Sequence, residues 1–259
     1  MTVHPATVHP VALALARSLD PTLLADPVGL EPEPWQSRVL LSSAKRQIVD
    51  ACRQSGKSTI TALRAVHLAL YRPGSLVLIV APTLSQATEL YRKVRAFYQS
   101  LGRPVPLVKE NTTTMELENG SRIVAVPGNP ESVRGFSAVA LLIIDEAAFV
   151  SDELYMAVEP MVSVSQGTII ALSTPNGCQG WFWKAWHEES TTWEKTKITA
   201  YDCPRHTAED LAKARLSLGA WRFEQEYLGE FRSTEDSVFS ADLIAQMWTT
   251  NPALRALNL

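Results

Sequence analysis

A mostly parallel α/β sheet covered by helices is the fold this sequence predicts, and three observations predict it. The runs 76–81 and 139–144 are apolar throughout rather than alternating, as strands buried on both faces must be. A short β-type run, 46–52, is followed by residues 57–70 with apolar side chains at helical spacing, Ile60, Leu63, Ala65, Val66 and Leu70. The strand candidates 139–144 and 168–172 end in Asp145-Glu146 and Ser173-Thr174-Pro175, polar residues at the carboxyl edge where parallel sheets hold ligands.

Taken in order, the first 34 residues carry six prolines and read as an arm on the surface, with a helix over 11–18. Order begins near Trp35. Pro73-Gly74 stops the first long helix, 76–81 is a strand, and 84–101 is a second long helix. Runs 113–117 and 121–126 flank Glu118-Asn119-Gly120, whose Asn-Gly is a strong hairpin signal. Beyond Pro175 come the aromatic cluster Trp181, Phe182, Trp183 and Trp186, a short strand at 195–200, and helices over 207–216 and 219–228. The division this suggests is an arm at 1–34, a core at 35–175, a small lid at 176–239, and the start of a linker at 240–259.

Composition excludes several classes. Hydrophobic residues make up 46% and charged residues 20%, so disorder and low-complexity scaffolds are ruled out. No apolar run approaches the ~20 residues a bilayer span needs, and no basic residue precedes the N-terminal apolar stretch as a secretory signal requires. A cytoplasmic protein without membrane attachment is expected. Cys52, Cys178 and Cys203 are odd in number and widely spaced, and the five histidines are scattered, which argues against a disulfide framework or a protein-built metal centre. Formal charge is only −3, yet Lys45 to Arg64 holds five bases and one acid, whereas Asn111 to Pro160 holds two bases and eight acids. Such asymmetry fits a phosphate-facing surface set apart from another face, and it equally fits ordinary solvated charge runs.

The segment Ala51-Cys52-Arg53-Gln54-Ser55-Gly56-Lys57-Ser58-Thr59 lies between strand and helix, the setting of a phosphate-binding P-loop. In such a loop backbone N–H groups and a helix N-terminus wrap phosphates, Lys57 supplies a mobile cation, and the Ser58 hydroxyl coordinates Mg²⁺. Ala51 stands where the motif has glycine. Asp145, ending a buried strand, would hold the Mg²⁺ shell, and Glu146 would polarise the attacking water. Ser173 and Thr174 approach the terminal phosphate from the next strand. Ahead of the loop, Gln36 presents an amide to an adenine edge, and Trp35 is either a stacking platform or core. Arg53 can reach phosphate oxygens or an acid elsewhere. Arg134, in a turn-rich loop before the Asp145 strand, can project toward a neighbouring subunit as an arginine finger.

In order along the chain, Pro34-Trp35-Gln36, Arg53-Gln54-Ser55-Gly56-Lys57-Ser58, Ala81-Pro82-Thr83, Arg134-Gly135, Asp145-Glu146-Ala147-Ala148, Ser173-Thr174-Pro175-Asn176-Gly177 and Gln225-Glu226-Tyr227-Leu228-Gly229-Glu230-Phe231 resemble the ATPase domain of viral large terminases. The resemblance covers roughly residues 35–239. It implies a P-loop ATPase core of the additional-strand, catalytic-glutamate type with ATP and Mg²⁺ as cofactors, and Ser173-Thr174-Pro175 as coupling motif. It also implies double-stranded DNA, a procapsid portal and a small terminase subunit as partners, self-association into a pentameric ring, and the host cytoplasm as location. In the family a nuclease domain of ribonuclease H-like fold follows; 259 residues leave no room for it, so DNA cleavage is not expected of this chain. Two other readings share the motifs: one motor domain of a helicase, and an assembly switch that binds ATP and scarcely turns over.

Overall fold

The computed structural model describes residues 9–189 and 192–232. Residues 233–259, assigned above to the end of a lid and to a linker, lie outside them, as do residues 1–8 of the arm. The helices are α1 (Pro10–Leu19), α2 (Pro34–Leu41), α3 (Lys57–Tyr71), α4 (Leu84–Ser100), α5 (Pro130–Val133), α6 (Asp152–Ser163), α7 (Gly180–His187) and α8 (Ala208–Leu228). The strands are β1 (Arg46–Ala51), β2 (Leu76–Ala81), β3 (Leu107–Glu110), β4 (Thr114–Leu117), β5 (Arg122–Pro127), β6 (Val139–Asp145), β7 (Thr168–Ser173) and β8 (Glu194–Ile198).

All eight strands form one sheet in the order β3-β4-β5-β2-β6-β7-β1-β8. From β5 to β8 every pairing is parallel, and only the hairpin end is antiparallel. The apolar strands are explained by alternation on two covered faces. Val77 and Ile79 of β2 pack with Ile60, Leu63 and Val66 of α3 and with Leu90 and Val94 of α4, while Leu78 and Val80 pack with Leu154 and Val158 of α6 and Trp181 of α7. Both sets are buried, so neither face can be polar. Strand β7 lies between β1 and β6. It is the additional strand of the expected fold class, a P-loop-type α/β domain.

Several elements differ from expectation. The arm does not simply lie on the surface: Leu24 and Ala25 are buried in the α3 side of the core, and the His67 ring nitrogen meets the Arg17 carbonyl at 3.0 Å. Proline density marks turns, but it carries no information about what the turns cover. The hairpin forms as read, with Glu116 opposite Arg122 and Gly120 at φ 81°, and β3 extends it by a strand too short to register in the pattern. Helix α6 is an element the sequence pattern does not announce. It begins on Ser151, whose hydroxyl accepts the Leu154 N–H, with Asp152 and Glu153 in its first turn.

The largest correction concerns the supposed lid. Strand β8 pairs in parallel with β1, Val49 opposite Thr196, and completes the main sheet as an edge strand. Its alternation, with Thr196 and Ile198 buried and Lys195 and Lys197 exposed, fits an edge with one covered face. The two helices expected at 207–216 and 219–228 both form and meet within α8 at Gly219, whose φ of 75° is non-helical and breaks the span where the sequence breaks it.

The end of α8 returns to β1. Gly229 caps the helix in the left-handed region, and a Cβ there would lie 2.6 Å from Asp50 Oδ2, so only glycine permits this approach. Asp50 is fully buried with no hydrogen-bond partner for either carboxylate oxygen among the described residues. Burial pushes its pKa from 3.8 up to about 8, Lys197 and Lys57 pulling down and Glu230 pushing up. The folded state therefore keeps this proton up to about pH 8, whereas the unfolded chain loses it near pH 4, and stability falls as pH rises between the two. Asp50→Asn keeps the shape of the neutral acid and removes the titration. Its stability gain should grow from pH 5 to pH 8 in urea unfolding; a gain independent of pH would show that Asp50 is ionised in the fold.

Candidate functional site

Strand β1 ends at Ala51, fully buried and paired with Ile198, so the position where the motif has glycine is ordinary strand and needs no positive φ. The chain then turns through Arg53-Gln54-Ser55-Gly56 into α3, with Gln54 at φ 59° and Gly56 at φ 89°. Glycine is required at 56 by its φ, and a Cβ there would also sit 2.8 Å from Gln36 Nε2 and push that side chain aside. A helix start leaves its first amides without intrahelical acceptors, which is what an anion needs.

The loop and the carboxyl ends of β6 and β7 enclose a cleft of about 690 Å³. Lys57 Nζ lies 3.4 Å from Glu146 Oε1, and Ser58 Oγ donates to Asp145 Oδ2 at 3.0 Å. Asp145 accepts as well from the Glu146 N–H, at 3.1 Å. Burial raises the Asp145 pKa to about 6, the Glu146 charge adding to the rise while Lys57 and the hydrogen bonds from Ser58 and Glu146 oppose it. Glu146 holds φ at 50°, a left-handed conformation costly for glutamate. Ser173 is fully buried behind the cleft, Thr174 lines it, and Asn176 Nδ2 donates to the Ala148 carbonyl at 3.3 Å, joining the ends of β6 and β7.

Arg53, Gln54, Ser55, Gly56, Lys57, Ser58, Thr59, Glu146 and Thr174 all line this cleft, and Asp145 reaches it through Ser58. Gln36 lines an adjoining pocket of about 240 Å³ that shares Gly56 and Thr59. Its Oε1 accepts the Glu33 N–H at 2.9 Å, and its Nε2 donates to the Ser55 carbonyl at 3.2 Å, leaving one N–H for a ligand. Of the two readings open for Trp35, core is the one its surroundings favour: it is buried in the cluster that holds Leu24 and Val39, and its indole N–H donates to Glu33 Oε2 at 2.8 Å. Arg53 is held by an acid elsewhere, through Nε to Glu226 Oε2 at 2.6 Å and a second bond at 3.2 Å. Arg134 is exposed and does not line the cleft.

Sequence reasoning missed Gln86, Lys93 and Phe149, which complete the lining, and Arg205, which lines the adjoining pocket. Lys93 Nζ lies 3.5 Å from Thr59 Oγ1. The helix that carries Lys93 was legible, but the face it turns toward the loop depends on packing. Arg205 follows a turn with no motif, and nothing local announces it.

The family model described as terminase large subunit, T4likevirus-type, N-terminal, matches residues 48–246. The terminase large subunit of Thermus phage G20c is 28% identical over 250 residues, covering 82% of this chain and 51% of its own length; that of Escherichia phage T5 is 29% identical over 223 residues, covering 82% and 50%. The chain thus spans about half the length of the curated relatives it matches. The fold is that of the Thermus phage P74-26 large terminase ATPase domain, with a TM-score of 0.68 at 23% identity, over 80% of this chain and 96% of that one. The large terminase of another thermophilic bacteriophage, solved in complex with ADP, superposes with a TM-score of 0.63 at 13% identity over 77% and 54%. With the matched segment running from β1 through the cleft and past α8, the chain belongs to the family of T4likevirus-type terminase large subunits, as a member of its N-terminal part.

Proposed function

We propose that this chain is an ATP-hydrolysing motor domain that couples hydrolysis to movement of double-stranded DNA into a procapsid. The observation that carries the reading is the convergence, in one cleft, of Lys57 on Glu146 and Ser58 on Asp145. Lys57 and the loop amides bind the phosphates, Glu146 polarises the water, and Thr174 senses the terminal phosphate from β7. A hydroxyl and a buried carboxylate 3.0 Å apart are an all-oxygen donor pair suited to Mg²⁺, which takes few protein ligands and completes its shell with water and phosphate. Ser58 and Asp145 would hold the ion, which supplies charge neutralisation at the phosphates when bound. The family membership supports portal, small subunit and ring formation as partners, and the host cytoplasm as location. No helix among the described residues is long and apolar enough to cross a membrane.

Phosphate release by the purified chain tests the activity, with strand separation diagnosing a helicase and binding without release diagnosing a switch. Glu146→Gln should retain ATP binding and lower turnover by about 10² to 10⁴, the range of general-base contributions. Loss of affinity with turnover intact would remove Glu146 from the chemistry.

Arg134 is read as a finger acting on a neighbour's cleft, in keeping with its exposed place at the C-terminal end of α5 outside its own cleft. Specific activity should therefore rise with protein concentration. Mixing Arg134→Ala with Glu146→Gln chains should recover activity that neither has alone, because some interfaces pair an intact glutamate with an intact arginine. No recovery at any ratio would place the finger elsewhere.

A further inference from the structure

A P-loop works only if its N–H groups face the phosphates, and its carbonyls must then be held on the opposite side. Two of those carbonyls are held by consecutive residues from far along the chain. Arg205 donates through a terminal guanidinium nitrogen to the Ser55 carbonyl at 2.5 Å, and the His206 ring Nε2 donates to the Arg53 carbonyl at 3.2 Å. The Ser55 carbonyl also accepts from Gln36, and the same Arg205 nitrogen lies 3.0 Å from Glu33 Oε1. Two residues before Arg205, Cys203 places its sulfur 3.7 Å from that of Cys52, the residue that opens the loop.

We infer that Arg205, assisted by His206, is a positioning residue that clamps the outer carbonyls of the phosphate loop and so sets the direction of its amides. The inference rests on the nucleotide reading of the cleft. An exposed ion pair alone would be worth little, and the Arg205 side chain is 51% exposed. The charge-assisted bond to a loop carbonyl is what distinguishes it, since a planar guanidinium can serve Ser55 and Glu33 at once. Gly56 beneath it leaves room: an added Cβ would stand 3.5 Å from the guanidinium and 2.8 Å from Gln36.

The test measures KM and kcat for ATP, and binding of a non-hydrolysable ATP analogue and of inorganic tripolyphosphate, in the wild type, Arg205→Ala, Arg205→Lys and His206→Ala. Arg205→Ala should raise KM and weaken both ligands about tenfold, roughly 1.4 kcal/mol, with kcat changed by less than about threefold. Arg205→Lys should recover part of the loss, because one donor still reaches Ser55, and His206→Ala should show a smaller loss of the same kind. Equal KM in Arg205→Ala and wild type overturns the clamp, as does a lowered melting temperature with unchanged affinity in either arginine variant. Weakened binding of the ATP analogue with tripolyphosphate unaffected also overturns it, since the arginine would then act on the base. A wild type that binds neither ligand sinks the nucleotide reading itself, an outcome separate from equal binding by wild type and variant.

Discussion

Parallel insertion of β7 between β1 and β6 sets the distance on which the site depends. Neighbouring strands lie about 4.8 Å apart, so the loop after β1 and the carboxylates after β6 start roughly 10 Å from one another. That gap admits a phosphate group, yet the side chains of Lys57 and Ser58 can still bridge it from the start of α3 to Glu146 and Asp145. The registers Asp50 opposite Ser173 and Asp145 opposite Leu172 bring the three strand ends to one level.

The C-terminal part of the chain supports this arrangement from outside. Strand β8 extends the sheet beyond β1, and the Cys52 N–H donates to the Ile198 carbonyl at 2.9 Å. Helix α8 holds the loop through Glu226, whose carbonyl accepts the Arg53 N–H at 3.1 Å while its carboxylate takes the side chain. Two residues beyond the end of the helix, Glu230 pairs with Lys197 at 2.9 Å. A loop that holds Gln54 in the left-handed region is costly by itself, and these contacts are what over-determine it. Any motion of α8 is therefore felt at Arg53.

What was legible in the sequence follows from how local each signal is. Strands buried on both faces announce themselves by composition, and the loop by residue types that its backbone demands, so β2, β6, β7, α3 and most of the cleft lining could be read directly. Strand β8 could not be placed, because Lys195 and Lys197 make it look like a solvated segment and its partner lies almost 150 residues earlier. Trp35 carries an aromatic ring in a motif, and only packing against Leu24 decides that the ring is core. Asp50 looks like any strand aspartate until Gly229 closes over it. Arg205 is the extreme case: its partner is a backbone carbonyl, and a carbonyl leaves no mark on the sequence.

The Lys57 to Glu146 pair gives the proposed chemistry an internal order. In the structure described, the lysine is the cation nearest the glutamate, and at 3.4 Å the two partly neutralise each other. A polyphosphate entering the loop presents several negative charges to the same ammonium group and competes for it. As Lys57 turns to the phosphate, Glu146 loses its partner while staying in a strained conformation aimed at the cleft. In the proposed reaction, the carboxylate would then be freest to accept a proton from water when a phosphate is there to be attacked. Arg53 shows the same logic with the opposite bias. Its guanidinium makes a bidentate pair with Glu226, a residue largely withdrawn from solvent, so an anion entering the loop has a carboxylate to compete with at Arg53. In the proposed reaction the loop lysine is therefore the cation that answers to occupancy, while the loop arginine stays with the helix that follows the sheet.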